Sequence, residues 1–142
     1  MSVTRIASLA AVVMCQSLVD YISTGAGDAH LVIYSGVIPA NLETPISAQN
    51  PLVTIALPNP AFAPAAESGV GGTAAVNTVP STPATASGTA TFARIFNRNG
   101  DPVLDVDVSD AAGTGALKLS SVTVVQNVNV TVVSLTISQR KA

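Results

Sequence analysis

The sequence predicts a mainly β protein: an antiparallel β-sandwich, jelly-roll-like, with one N-terminal α-helix. Three observations lead there. Two alternating runs, residues 89–96 and 102–108, flank Asn99-Gly100, a strong short-range hairpin signal. In all, about seven or eight short β-prone runs are separated by turn residues, a spacing that suits a sandwich. A three- and four-residue apolar period occurs once, ahead of the first of those runs.

That period sets the helix at residues 3–22, where Ile6, Leu9, Ala10, Val13, Met14, Leu18, Tyr21 and Ile22 recur at helical spacing. Its polar residues (Arg5, Ser8, Gln16, Asp20) cover a narrow arc. The helix is therefore expected to be mostly buried, against the β core or a neighbouring subunit. Gly25 and Gly27 follow as terminators. Gln16, Ser17 and Asp20 interrupt the roughly 18 apolar residues that a membrane span needs, so no membrane partner is expected. A secretory signal shares the basic start and apolar run, yet no convincing small-residue cleavage site follows.

Residues 30–36 read as the first strand, and residues 37–51 as a loop punctuated by Pro39, Pro45 and Pro51. A second strand at 52–57 stops at Pro58 and Pro60. Residues 58–88 are dominated by Ala, Pro, Gly, Ser and Thr, and Glu67 is the one charged residue between Thr44 and Ala93. An uncharged stretch of this length reads as an arm or loop lying across a neighbour, with one short strand within residues 73–79.

In the hairpin, Ala90, Phe92, Arg94 and Phe96 share one face of the first run, and Thr89, Thr91, Ala93 and Ile95 the other. Neither face is polar, so this run belongs inside a sandwich or at a subunit contact. In the second run Leu104, Val106 and Val108 oppose Asp105 and Asp107. A turn at 110–115, strands at 116–119 and 122–125, and a Gln126-Asn127 turn lead to a final run at 128–137. Its apolar parity switches from Val128, Val130 and Val132 to Val133, Leu135 and Ile137, which calls for a bulge near Val132 or burial on both faces.

The chain of 142 residues makes one domain, 1–142. It is 48% hydrophobic and 10% charged, whereas soluble domains carry about 25% charged residues. So little charge points to a surface covered by copies of itself or by a larger assembly. A net charge of −2, with basic residues paired only at Arg94/Arg98 and Arg140/Lys141, leaves no footprint for nucleic acid. Aromatic residues, at 4%, offer no stacking platform either.

Chemistry is scarce. Cys15 is the only cysteine, so there is no intramolecular disulfide, and in an apolar helix it reads as a buried thiol. The sole histidine, His30, opens a strand, and no Gly-x-Ser-x-Gly elbow is present. Gly69, Gly71 and Gly72 are not followed by the Lys-Ser/Thr of a phosphate cradle. No enzyme and no cofactor are predicted. One constellation stands out: Asp101, Asp105, Asp107 and Asp110. Asp105 and Asp107 share a strand face and are the candidate ligands for Ca²⁺, or for a paired-carboxylate glycosidase site. The alternative is a solvated face that carries solubility for the rest of the chain.

Several stretches resemble small virion proteins of tailed bacteriophages. They are the apolar N-terminal helix, residues 31–40 (LVIYSGVIPA), 51–55 (PLVTI), 87–95 (SGTATFARI), 103–108 (VLDVDV) and 130–137. In that family the last strands usually follow a glycine-containing turn, where this chain has Val124-Val125-Gln126-Asn127-Val128. The resemblance implies a capsid decoration or cement protein on the outer surface of an icosahedral head. Its partner would be the major capsid protein, with self-association as a dimer or trimer. The alternatives are a neck, collar or tail component, and a Ca²⁺-dependent carbohydrate-binding module.

Overall fold

The computed structural model describes residues 6–69 and 71–140. It is mainly β with one helix, as the sequence predicts. In chain order the elements are α1 (Ser8–Ile22), β1 (His30–Ser35), β2 (Asn50–Ala56), β3 (Ala66–Ser68), β4 (Gly71–Ala75), β5 (Thr82–Pro83) and β6 (Gly88–Thr89). They continue with β7 (Phe92–Phe96), β8 (Pro102–Asp110), β9 (Leu117–Leu119), β10 (Thr123–Val124), β11 (Asn129–Val130) and β12 (Val132–Arg140). Eight strands join in the order β2-β1-β7-β8-β9-β12-β4-β3, and two small ladders pair β10 with β6 and β11 with β5. One apolar cluster takes Leu52 and Leu31 from one end of the large sheet, Leu135 and Ala74 from the other, and Cys15, Val19 and Ile22 from α1. A single core shared by both ends requires the sheet to curl around it.

The strands expected at 30–36 and 52–57 form at His30–Ser35 and Asn50–Ala56, the second taking in Asn50 and Pro51 from the expected loop, and the hairpin forms. Asn97 organises the hairpin turn: its buried Oδ1 accepts from the N–H groups of Asn99 and Asp101, both at 3.0 Å. Gly100 sits at φ +86°. Arg94 faces Asp105 and Phe92 faces Asp107 across the β7–β8 pair. The register puts Ala93, Ile95, Leu31 and Ile33 on the core side. The other face carries a second cluster of Val32, Tyr34 and Phe92. Thus β7 is buried on both faces. The Pro-punctuated loop between β1 and β2 covers the outer one, with Ile46 packed against that cluster.

The final strand carries the expected bulge. The β9–β12 register slips between Val132 and Ser134, so Val133 is the extra residue and burial passes from Val130 to Leu135 and Ile137. In the preceding turn Asn127 takes the left-handed conformation at φ 69°, the role a glycine would otherwise fill.

Three expectations need correction. The helix runs from Ser8, not from residue 3: residues 3–5 lie outside the described residues, and Ala7 is extended. Nor is it mostly buried. One stripe (Ala11, Cys15, Val19, Ile22) faces the core, while Leu9, Val13, Met14 and Tyr21 face outward. The stretch 58–88 is not an arm. The short strand expected within 73–79 is present as β4, beginning two residues earlier, and the stretch also supplies β3, pairs Phe62 with Val76, and buries Ala61, Phe62, Ala74 and Ala84.

Small residues at 71–75 have a packing cause. A Cβ on Gly72 would lie 2.6 Å from the carbonyl oxygen of Ala11 and 2.7 Å from the Cα of Val12. Only glycine lets the helix backbone rest directly on β4. One strand pair also departs from the antiparallel pattern: β9 runs parallel to β8. Parallel neighbours usually need a crossover of about a dozen residues or more, yet here the return occupies residues 111–116. It is short because β9 is short and the chain doubles back tightly along β8. A Cβ on Gly115 would meet the backbone of Val108 and Ser109 at 2.9 and 2.7 Å.

Candidate functional site

The four aspartates do not converge. Asp105 is consumed by Arg94: Nε donates to Oδ1 at 2.7 Å and Nη2 to Oδ2 at 2.9 Å, with the two side chains 4% and 10% exposed. Such bidentate pairing fixes both groups geometrically. Arg94 Nη1 also donates to the Thr44 carbonyl at 3.3 Å, tying down the covering loop. The hydrogen bonds it donates to Asp105 hold the Arg94 guanidinium above its already high ordinary pKa. Asp107 Oδ1 accepts from the Ala116 N–H, and Asp110 Oδ1 from the Ala112 N–H. Asp101 closes the hairpin turn through its backbone. The expectation of a solvated aspartate face is therefore corrected for Asp105, which is locked in a nearly buried ion pair. Among the described residues, no group of three or more His, Cys, Asp or Glu is placed to hold a metal ion.

His30 stacks on Phe96 at 4.8 Å between ring centroids, with Nδ1 3.3 Å from the Asp28 carbonyl oxygen. No nucleophile is paired with it in the described residues. Cys15 is fully buried, its Sγ donating weakly to the Ile137 carbonyl at 3.7 Å, and burial pushes its thiol pKa up. A thiol so placed is inert.

What the structure offers instead is surface. Helix α1 is bound tightly on one side only. Gln16 Oε1 accepts from the Ala65 N–H at 2.8 Å, and Ser23 Oγ accepts from the Ala61 N–H at 3.3 Å. On the opposite side Leu9 is 71% and Val13 63% exposed, with Met14 and Tyr21 close to half exposed. Leu9, Val13, Ser17 and Tyr21 follow one another at four-residue intervals, so the apolar residues form a stripe along the helix. No described helix is long and apolar enough to cross a membrane.

A second feature was not foreseen. Where the sheet passes from β8 to β12 it splits, leaving a cleft of about 700 Å³. Leu18, Leu104, Val106 and Ile137 line it with apolar groups, and Thr136 and Ser138 with hydroxyls. No sequence pattern marks it, because it arises from the shortness of β9, a property of long-range pairing.

Comparison of the chain with family models, with curated proteins and with solved structures found no match.

Proposed function

We propose that this chain is a structural protein of a tailed-phage virion, a decoration or cement protein that bridges major capsid subunits on the outside of the head. The observation that carries the reading is the outward apolar stripe of α1, Leu9, Val13, Met14 and Tyr21, on a chain with little charge. Contiguous exposed apolar surface marks an interaction site more often than it occurs by chance on a monomer. The rest of the molecule suits a rigid spacer, with one core and a central strand covered on both faces. We place the contact on the helix; residues 58–88 belong to the body of the sheet and are not a separate arm. Binding the assembled shell, and not the free subunit, would stabilise the shell by mass action.

The test is the copy number of this chain in purified particles relative to the major capsid subunit, by quantitative mass spectrometry. A ratio near one, or a simple fraction of it, is expected. A handful of copies per particle would move the protein to the neck, collar or tail, and absence from the particle would end the virion reading. Self-association no larger than a dimer or trimer in sedimentation belongs to the decoration reading, while a closed ring belongs to the tail. The Ca²⁺-dependent module loses its support from geometry, because Asp105 is already held by Arg94.

A further inference from the structure

We propose that the cleft between β8 and β12 is a strand acceptor, which takes an extended polypeptide segment of a partner protein by β-augmentation. The inference is independent of the virion reading. It rests on how the ladders end. On β8 the pairing with β9 covers Val108–Asp110, and on β12 it covers Val132–Leu135. Beyond those points Leu104–Asp107 on one side and Thr136–Ser138 with Arg140 on the other line the cleft, with no described strand between them.

The direction of the backbone groups follows from the bonds on the far side of each strand. Val108 donates its N–H to the carbonyl of Thr91, the residue that leads into β7. By the alternation of an antiparallel ladder, Val106 and Leu104 also face β7, while Asp105 presents its N–H and C=O to the cleft and Asp107 its N–H, the Asp107 carbonyl being taken up where the ladder with β9 begins. On β12, Leu135 accepts from the Val76 N–H on the β4 side, and Thr136 donates to Ala116 on the other. Ser138 and Arg140 therefore present their peptide groups to the cleft as well. At its head Ala116 shows how a residue sits there: its N–H donates to Asp107 Oδ1 at 2.9 Å and its carbonyl accepts from Thr136 at 3.1 Å. A guest strand would continue the line of β9 from that point.

Size and chemistry fit one occupant. Strands flanking a shared neighbour stand about two ladder spacings apart, ~9.6 Å, which admits one strand and no more. The open edges accommodate about five guest residues at ~3.4 Å each. Only a polypeptide backbone in extended form supplies donors and acceptors along both of its edges at this spacing. Specificity comes from the lining: Leu18, Leu104, Val106 and Ile137 lie on the core side, and Asp107, Thr136 and Ser138 on the opposite parity. The guest must alternate apolar and polar residues.

The experiment uses the full chain, labelled with ¹⁵N, and a capped peptide of alternating valine and threonine flanked by lysines. Amide shift changes are expected at Asp105, Asp107, Ser138 and Arg140, with hydrogen exchange there slowed about tenfold or more. The same peptide N-methylated at alternate amides should lose binding, because one edge loses its donors. Ser138→Pro removes a cleft-facing N–H without touching the β4 ladder, and should weaken binding about tenfold. If that variant does not fold, the N-methylated peptide still decides. No shifts at millimolar peptide, or equal binding of the methylated peptide, would overturn the proposal. So would protection of the same amides by self-association without peptide, which would give the cleft to a second copy.

Discussion

The two halves of the large sheet are built on different principles. In the β1–β7–β8 half, apolar or paired side chains cover both faces: Leu31, Ile33, Ala93 and Ile95 inside, and Val32, Tyr34, Phe92 and the Arg94–Asp105 pair outside. In the β9–β12–β4 half one face is covered, by a helix that sits on glycine and alanine, and the strands part to leave a cleft. The first half is held by side-chain volume and charge pairing. The second is held by close backbone approach. The difference teaches where each half will fail, and which half is free to bind.

The largest effect is expected in the first half. Arg94→Met leaves the nearly buried Asp105 carboxylate with no cation, and removal of one partner of a buried pair costs about 3–5 kcal/mol. Urea unfolding should show that loss. The double variant Arg94→Met/Asp105→Leu should recover most of it, since two apolar groups leave no orphaned charge. A double variant as unstable as the single one would mean that the pair is not an isolated electrostatic unit.

A smaller loss is expected in the second half. Gly72→Ala places a methyl 2.6 Å from the Ala11 carbonyl oxygen, so the helix must lift, at about 1–3 kcal/mol. The signature is specific: amide exchange should accelerate along α1 and β3 but not along β1 and β7. Uniform acceleration would show that the halves unfold as one unit and would erase the contrast.

These halves also differ in how much of them could be read from the chain. The β7–β8 hairpin was legible because Asn99-Gly100 marks its turn and alternation marks its faces. The partnership of Arg94 with Asp105 was not, because it depends on register, and that is set by the geometry of the turn around Asn97. Residues 71–75 are legible only in part: the sequence places a short strand within 73–79, but nothing in it marks the start at Gly71. Gly-Gly-Thr-Ala-Ala has poor strand propensity, and its strand exists because the helix needs small residues beneath it. Likewise Gly113 and Gly115 read as a turn, whereas their use is to let a parallel strand return beside β8. The outward stripe of α1 was visible as apolarity and misread as burial, since a helix apolar all round gives no sign of which side is covered.

Alkaline pH probes the helix contact without steric change. Burial raises the folded pKa of Cys15 above its ordinary 9.0, so its contribution is complete below about pH 9 and is lost as pH rises through the folded value. Tyr34, raised first by its burial in the other half, follows from an ordinary value of 10.0. Stability should therefore begin to fall above about pH 9 in the wild type and fall less in Cys15→Ala. An unchanged slope in that variant would assign the alkaline loss to other groups.

The smallest effect on stability should accompany the largest effect on attachment. Val13 is 63% exposed, and lysine is a good helix former. Val13→Lys should thus change stability by less than about 0.5 kcal/mol. Ala11→Lys, two residues away on the buried stripe, should prevent folding. If the outer stripe is the capsid contact, Val13→Lys protein will be folded and soluble yet bind particles about tenfold or more weakly, since a charge is desolvated at an apolar interface. Full attachment of the folded variant would remove α1 from the contact and leave the cleft side of the sheet as the surface to test next.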